Sequence, residues 1–323
     1  MMRRIPICCY AILVLGFPFT PASAQGCCSI PTPPIVIGSG AANFGIYSKG
    51  QFLMGLSYGF TNISRAIQET KKVTDPENRA TNIQVTNFEA AYDITNRFRL
   101  NLSVSLVAKT RTISLRDIDN QPLAAKFSSA GVGDISIVGH YAIETFSFIR
   151  GREVTIGAGV KFPTGSTNKL QNNARLPIDL QPGTGSYGAI LNGSYFQGSA
   201  PSRLSYFANA TILVNGQNPD GYKMGHELIY SFGLGRAVLL PFAGIFVELK
   251  GRYATKDHFN GRMLPSTGGS LVYLAPDIII RRFKRLSAIL TIDVPIFQRV
   301  NGLQVTPAIG FSTLLVYALD KHR

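Results

Sequence analysis

The sequence predicts an all-β chain, a single antiparallel transmembrane β-barrel of about 12 strands with short periplasmic turns and longer extracellular loops. Three observations predict it. From Gln51 to Leu319 the chain repeats segments of about ten residues in which apolar and polar side chains alternate. The connections between those segments are short and long in turn. An export signal precedes them all.

The signal comes first along the chain. Arg3 and Arg4 lead into the apolar stretch Ile5–Phe19, too short to span a bilayer comfortably, and Pro21-Ala22-Ser23-Ala24 follows with small residues where a signal peptidase reads them. Residues 1–24 are therefore expected to be a cleaved signal peptide, with the mature chain starting at Gln25. Residues 25–50 form an N-terminal periplasmic or lumenal segment, 51–319 the barrel and 320–323 a C-terminal tail. All four cysteines precede the barrel: Cys8 and Cys9 in the signal, Cys27 and Cys28 at the mature start. No disulfide framework or cysteine metal site supports the fold. Gly26 before Cys27 leaves lipid attachment there open, although Ala24 stands where a leucine is expected. No charge-free apolar run near 18 residues follows position 24.

Alternation assigns the strand faces, because successive side chains point to opposite sides. In 98–108, Phe98, Leu100, Leu102, Val104, Leu106 and Ala108 oppose Arg99, Asn101, Ser103 and Ser105. In 134–145, Ile135, Ile137, Tyr141 and Ile143 oppose Asp134, Ser136, His140 and Glu144. Segment 152–162 sets Val154, Ile156, Ala158, Val160 and Phe162 against Glu153, Thr155, Gly157, Gly159 and Lys161. In the last segment Val305, Ile309, Phe311, Leu315 and Tyr317 oppose Gln304, Thr306, Ala308, Gly310 and Ser312. A soluble sandwich would alternate too, so connection lengths decide. Short turns are expected at Thr95–Arg97, Phe146–Gly151, Gly198–Ser202, Arg236–Leu240 and Arg281–Lys284. Longer polar ones are expected at Thr61–Thr81, Lys109–Gly131, Pro163–Gly185, Asn215–Lys223 and Ala254–Gly268. That regularity suits periplasmic turns on one rim and extracellular loops on the other.

Aromatic side chains supply a girdle. Tyr92, Phe98, Phe146, Phe148, Tyr195, Phe196, Tyr206, Phe232, Phe242, Phe283 and Tyr317 fall near the short turns, where rings with a polar edge favour the interface.

The formal net charge of +14 and pI near 9.8 would suit a nucleic-acid partner, but the distribution argues against one. Arg97, Arg99, Arg150, Arg152, Arg203, Arg236, Arg281, Arg282, Lys284 and Arg285 flank the short turns, which suits anionic headgroups of the periplasmic leaflet or plain solvation. Charges facing lipid near mid-membrane are costly, so the charged residues opposite the apolar stripes are candidate lumen-lining groups. They are Glu89, Asp93, Arg99, Asp134, His140, Glu144, Glu153, Lys161, Glu227, Glu248, Lys250 and Asp293. Their mixed signs permit either a wet channel or a lumen closed by ion pairs.

No catalytic, cofactor or metal site is expected. His140, His226, His258 and His322 lack metal-ligand spacing, and no local motif marks a nucleophile, histidine and orienting residue. Gly38-Ser39-Gly40, Gly131-Val132-Gly133 and Gly233-Leu234-Gly235 lack the spacing and following helix of phosphate loops.

Three stretches carry a resemblance: Gly131-Val132-Gly133-Asp134-Ile135, Gly159-Val160-Lys161-Phe162-Pro163-Thr164-Gly165 and Gln181-Pro182-Gly183-Thr184-Gly185-Ser186. Over roughly 131–196 the chain resembles the outer-membrane transporter family associated with the phenol-degradation meta-cleavage pathway. The resemblance implies an outer-membrane channel or transport component for passive passage of small, aromatic or apolar molecules. Its partners would be outer-membrane lipids and a small-molecule solute, in the outer membrane of a Gram-negative-type bacterium. Tyr317 is followed by Ala-Leu-Asp-Lys-His-Arg, which departs from the terminal aromatic of many bacterial barrels. A structural or adhesive barrel with a closed lumen and a barrel-borne lipid hydrolase are the alternatives. Oligomeric state is not legible. Pro163–Gly185, long and rich in proline and glycine, is the segment expected to fold inward at the mouth.

Overall fold

The computed structural model describes residues 47–116, 122–146, 151–198, 204–240, 242–283 and 285–319. Side chains are described at all of these except 115–116, 122–123, 237–238 and 282–283. The signal peptide, the four cysteines, most of the 25–50 segment, Phe148, Arg150, Arg203, Lys284 and the tail lie outside the described residues. So do the side chains of Arg282 and Phe283.

Twelve antiparallel strands close into a barrel. They are β1 (Phe52–Gln68), β2 (Ala80–Asp93), β3 (Phe98–Arg116), β4 (Pro122–Val132 and Ile135–Glu144), β5 (Arg152–Phe162) and β6 (Gly188–Gly198). After them come β7 (Ser205–Asn215), β8 (Glu227–Leu240), β9 (Ala243–Ala254), β10 (Gly269–Phe283), β11 (Leu286–Val300) and β12 (Leu303–Leu319). Each strand pairs with its sequence neighbours, and β1 pairs with β12 from Phe52 opposite Leu319 to Gln68 opposite Leu303. Closure leaves no open edge in the body of the barrel below Gly133, which is the condition for placing backbone amides in hydrocarbon. No helix among the described residues is long and apolar enough to cross a membrane.

The alternation read from sequence sets the faces. Leu100, Ile137 and Phe311 are 41%, 38% and 42% exposed, so they stand on the outside of the barrel rather than in a dry core. Their in-strand neighbours Arg99, Ser136 and Ser312 are buried inside. One phase changes: Val305 is buried in an inner cluster with Ile63, Ile83, Val85 and Val107. Two adjacent register shifts leave Ala308 of β12 and then Ser64 of β1 without a partner, and each inverts the facing of its own strand beyond it.

Three connections differ from expectation, the first being Arg236–Leu240, expected as a turn, which lies within β8 and still pairs with β9 at Arg236 and Leu240. Most of Lys109–Gly131, expected as loop, is strand: β3 and the first part of β4 form a hairpin paired from Leu106–Val132 to Arg116–Pro122. Its outward side chains on β3 are polar (Thr110, Thr112 and Ser114) and Lys109 and Arg111 interrupt the inward face beside Ile113, so no unbroken apolar stripe marks it as strand. Between β11 and β12, at the long-loop end, the connection is only Asn301-Gly302. Gly302 takes φ 64°, a left-handed conformation that a tight turn asks of glycine. The remaining long connections fall at 69–79, 163–187, 216–226 and 255–268.

β4 is interrupted at Gly133-Asp134. Below the break it pairs with β3 and β5; above it, only with β3. That leaves an unpaired edge beside 163–187, and this connection covers it.

Candidate functional site in the barrel lumen

The lumen is built in three tiers. At the short-turn end, Phe196, Phe207, Phe246, Ile279, Ile289 and Leu314 from β6, β7, β9, β10, β11 and β12 form one inward apolar cluster, with Phe146 and Val316 packed against it. The Phe207 and Phe246 rings lie 5.7 Å apart between centroids. β8 makes room for them: a Cβ on Gly233 would run into the Phe207 ring, and one on Gly235 into β9 and the base of the Phe246 ring. Phe207 and Phe246 are 1% and 0% exposed, so this half of the end is packed and dry.

The other half is polar. Arg99 donates from Nε to Asp93 Oδ1 at 2.6 Å and from Nη2 to Oδ2 at 3.1 Å, both residues wholly buried. Tyr47, ahead of β1, enters the barrel and lies under the Arg99 guanidinium, 4.5 Å from ring centroid to Cζ. The Ser48 amide donates to Asp93 Oδ2 at 2.9 Å. Glu153, His140, Glu89 and Thr155 are buried around this pair. A Cβ on Gly157 would meet the His140 ring at 2.8 Å, so glycine there lets the imidazole lie against the wall.

Above this floor lies a chamber of about 350 Å³, ringed by all the strands. Its wall over β8–β11 is ionic. Arg252 Nε meets Glu227 Oε2 at 2.9 Å, and Lys250 Nζ lies 3.3 Å from Glu248 and 3.2 Å from Asp293. Thr291 donates to Asp277 Oδ1 at 2.5 Å. Between these groups the lining is apolar, with Val107, Val138, Ile190, Leu213, Ile229 and Leu314. The chamber is amphiphilic rather than uniformly wet.

The third tier is the 163–187 connection, which folds inward with Leu176, Leu180 and Gln181 buried. Lys109 Nζ donates to the carbonyls of Asp179 and Gln181 at 2.9 and 2.8 Å, and Arg111 pairs with Asp179 at 2.5 Å. Ser129 Oγ donates to the Leu180 carbonyl. The three glycine-rich stretches singled out in the sequence meet here. Asp134, at the β4 break, accepts from the amides of Gly165 and Thr184 at 3.0 Å each and from Thr184 Oγ1 at 2.5 Å. Lys161 donates to Thr184 Oγ1 at 2.9 Å and Asn215 Oδ1 at 3.0 Å. Gly165 and Gly183 lie backbone to backbone, and a Cβ on either would collide with the other. The motif is a latch holding the loop in the mouth.

The twelve candidate lumen residues thus divide by tier. Glu89, Asp93, Arg99, His140 and Glu153 are at the floor; Glu227, Glu248, Lys250 and Asp293 line the chamber wall; Asp134 and Lys161 hold the latch. Glu144 sits at the short-turn rim, where Arg152 reaches it at 2.6 Å. Among residues expected at the interface, Tyr92, Phe232, Phe242 and Tyr317 point outward, but Phe196 and Phe146 turn inward. Arg99, expected beside headgroups as well as in the lumen, is wholly inside. Lys109, Arg111, Asp179, Arg252 and Asp277 were not expected. Lys109 continues the phase of Arg99, Asn101, Ser103 and Ser105, and Arg252 that of Glu248 and Lys250, so extending the alternation would have found both. Among the described residues no cluster of histidine, cysteine and carboxylates could hold a metal ion.

The sequence matches the model of the MetA-pathway of phenol degradation family over residues 106–279. None of the curated proteins matches it. Among solved structures, the chain is similar to the COG4313 outer membrane channel from Pseudomonas putida F1, with TM-score 0.66 at 12% identity over 86% of this chain and 98% of that one. The β domain of the Bordetella autotransporter BrkA gives TM-score 0.49 at 8% identity, over 84% of this chain and 100% of that one. The P. putida toluene transporter TodX gives 0.47 at 10% identity, over 90% and 94%. At these identities the first likeness bears on the fold, that of an outer-membrane barrel.

Proposed function

Because the chain belongs to the phenol-degradation MetA-pathway family, we propose that it is an outer-membrane channel for passive passage of small molecules, aromatic or apolar ones among them. The chamber carries this reading. It is about 350 Å³, within the size of small-ligand pockets. Its apolar patches suit a ring or short alkyl group, while Lys250, Asp277 and Asp293 suit a polar edge. The proposal assigns the chain no catalytic step and places it in the outer membrane after cleavage of residues 1–24. Of the twelve candidate residues, Glu227, Glu248, Lys250 and Asp293 act toward solute, Asp134 and Lys161 hold the latch, and the others build the floor and the short-turn rim.

One observation favours a second reading, a structural barrel with a closed lumen: the apolar half of the floor is packed, and Tyr47 enters the polar half beneath Arg99. Time-resolved uptake of a small aromatic alcohol into proteoliposomes separates the two. Uptake above protein-free vesicles, falling when Ser312→Phe fills the chamber, is the expected result. Uptake equal to the protein-free rate would favour the closed barrel.

A further inference from the structure

Outside the barrel, at the long-loop end, a cleft of about 410 Å³ lies over the ends of β9, β10 and β11. Tyr253, Ser270 and Arg299 are direct cross-strand neighbours and form one outward-facing row of its wall. Lys256, His258 and Asn301 complete it. No carboxylate lines the cleft. Asp257, between the two basic residues in sequence, is buried and turned away: it accepts from Tyr222 Oη at 2.5 Å and the Gly225 amide at 2.7 Å.

Among the described residues, neither Lys256 nor Arg299 takes part in an ion pair, whereas Arg79, Arg111, Arg175 and Arg252, in loops or lumen, each do. Two uncommitted cations and an imidazole therefore share one concave surface. Directly below it on the same outer face, Leu274, Ile296 and Phe297 are exposed and begin the lipid-facing band. A cationic cleft continuous with an apolar wall is complementary to an amphiphile: phosphate above, acyl chains below.

We propose that this cleft binds the phosphate of a lipid headgroup in the leaflet at the long-loop end, with Arg299 and Lys256 as its ligands. The site is independent of whether the lumen conducts.

The test compares purified wild-type protein, Lys256→Gln/Arg299→Gln, and the control Arg236→Gln/Arg285→Gln, which removes the same charge from exposed positions at the short-turn end. The probes are lipid A, phosphatidylcholine and inorganic phosphate, with retention read by native mass spectrometry. Heat-modifiable gel mobility establishes that each variant is a folded barrel. Lipid A is expected to be retained by wild type and control and bound roughly thirtyfold more weakly by the Lys256/Arg299 variant. Unchanged binding in that variant, or an equal loss in the control, would overturn the site. Competition by inorganic phosphate at lipid A concentrations would replace the lipid by a free anion and overturn the assignment.

Discussion

Arg99 and Asp93 show what one residue can decide in a lumen. The pair has no access to solvent, and its bidentate geometry with Tyr47 beneath the guanidinium replaces the lost hydration. A buried pair is not a reliable source of stability compared with apolar filling, but removing one partner strands a charge. Arg99→Ala is therefore expected to destabilise the barrel by about 3–5 kcal/mol. Equilibrium unfolding in urea from lipid vesicles measures it, and a change under 1 kcal/mol would mean that water reaches Asp93. The residue was legible because Arg99 alternates with Leu100. Asp93 was legible as a lumen group too, but its pairing with Arg99 was not, since pairing across strands depends on register, which alternation alone leaves free.

At the scale of elements, each strand states its outer face by period two. A charge on that face should cost most near mid-membrane. Leu102→Arg, in the middle of the β3 apolar stripe, is expected to lose about 2–4 kcal/mol, while Ser114→Arg beyond the stripe should lose little; refolding yields into vesicles would separate the two. The inner apolar cluster was harder to see. Phe207, Ile279 and Leu314 sit in Tyr206-Phe207, Ile278-Ile279-Ile280 and Leu314-Leu315, where both faces are apolar and alternation is silent. Those runs near short turns were the available signal. The mouth loop was legible by its length and its proline and glycine content, but the latch was not, because Asp134, Gly165 and Thr184 meet only in three dimensions.

The loops also predict a pH effect. Arg175 donates to Asp220 Oδ2 at 2.5 Å, tying 163–187 to 216–226. That hydrogen bond, outweighing partial burial and aided by the Arg175 charge, holds the Asp220 carboxyl below its usual range. A depressed acid contributes above its unfolded pKa and loses that contribution as pH falls through the folded value. Protease nicking of 163–187 should therefore be faster in Asp220→Asn than in wild type at pH 6, with the difference starting to shrink near roughly pH 4 and vanishing only below the depressed folded pKa. A difference that persists in acid would place the effect elsewhere.

For the whole molecule, the basic net charge of +14 describes the chain but not its interior. The chamber wall over β8–β11 sets Glu227, Glu248, Asp277 and Asp293 against Lys250 and Arg252. Outside, apolar side chains meet lipid; inside, a dry floor, an amphiphilic chamber and a latched loop succeed one another along the axis. Passage then requires the loop, held by hydrogen bonds rather than by continuous strand pairing, and the floor both to yield. Function on this account resides in what fills the barrel rather than in its wall, which many unrelated proteins share.

The most direct measurement is single-channel conductance in planar bilayers of wild type and of a variant in which Thr167–Pro182 is replaced by a short glycine–serine link. The account predicts small, rare openings for wild type and more frequent openings for the variant, in which only the floor still has to yield. Absence of conductance in both, with both shown to be folded barrels, would contradict it.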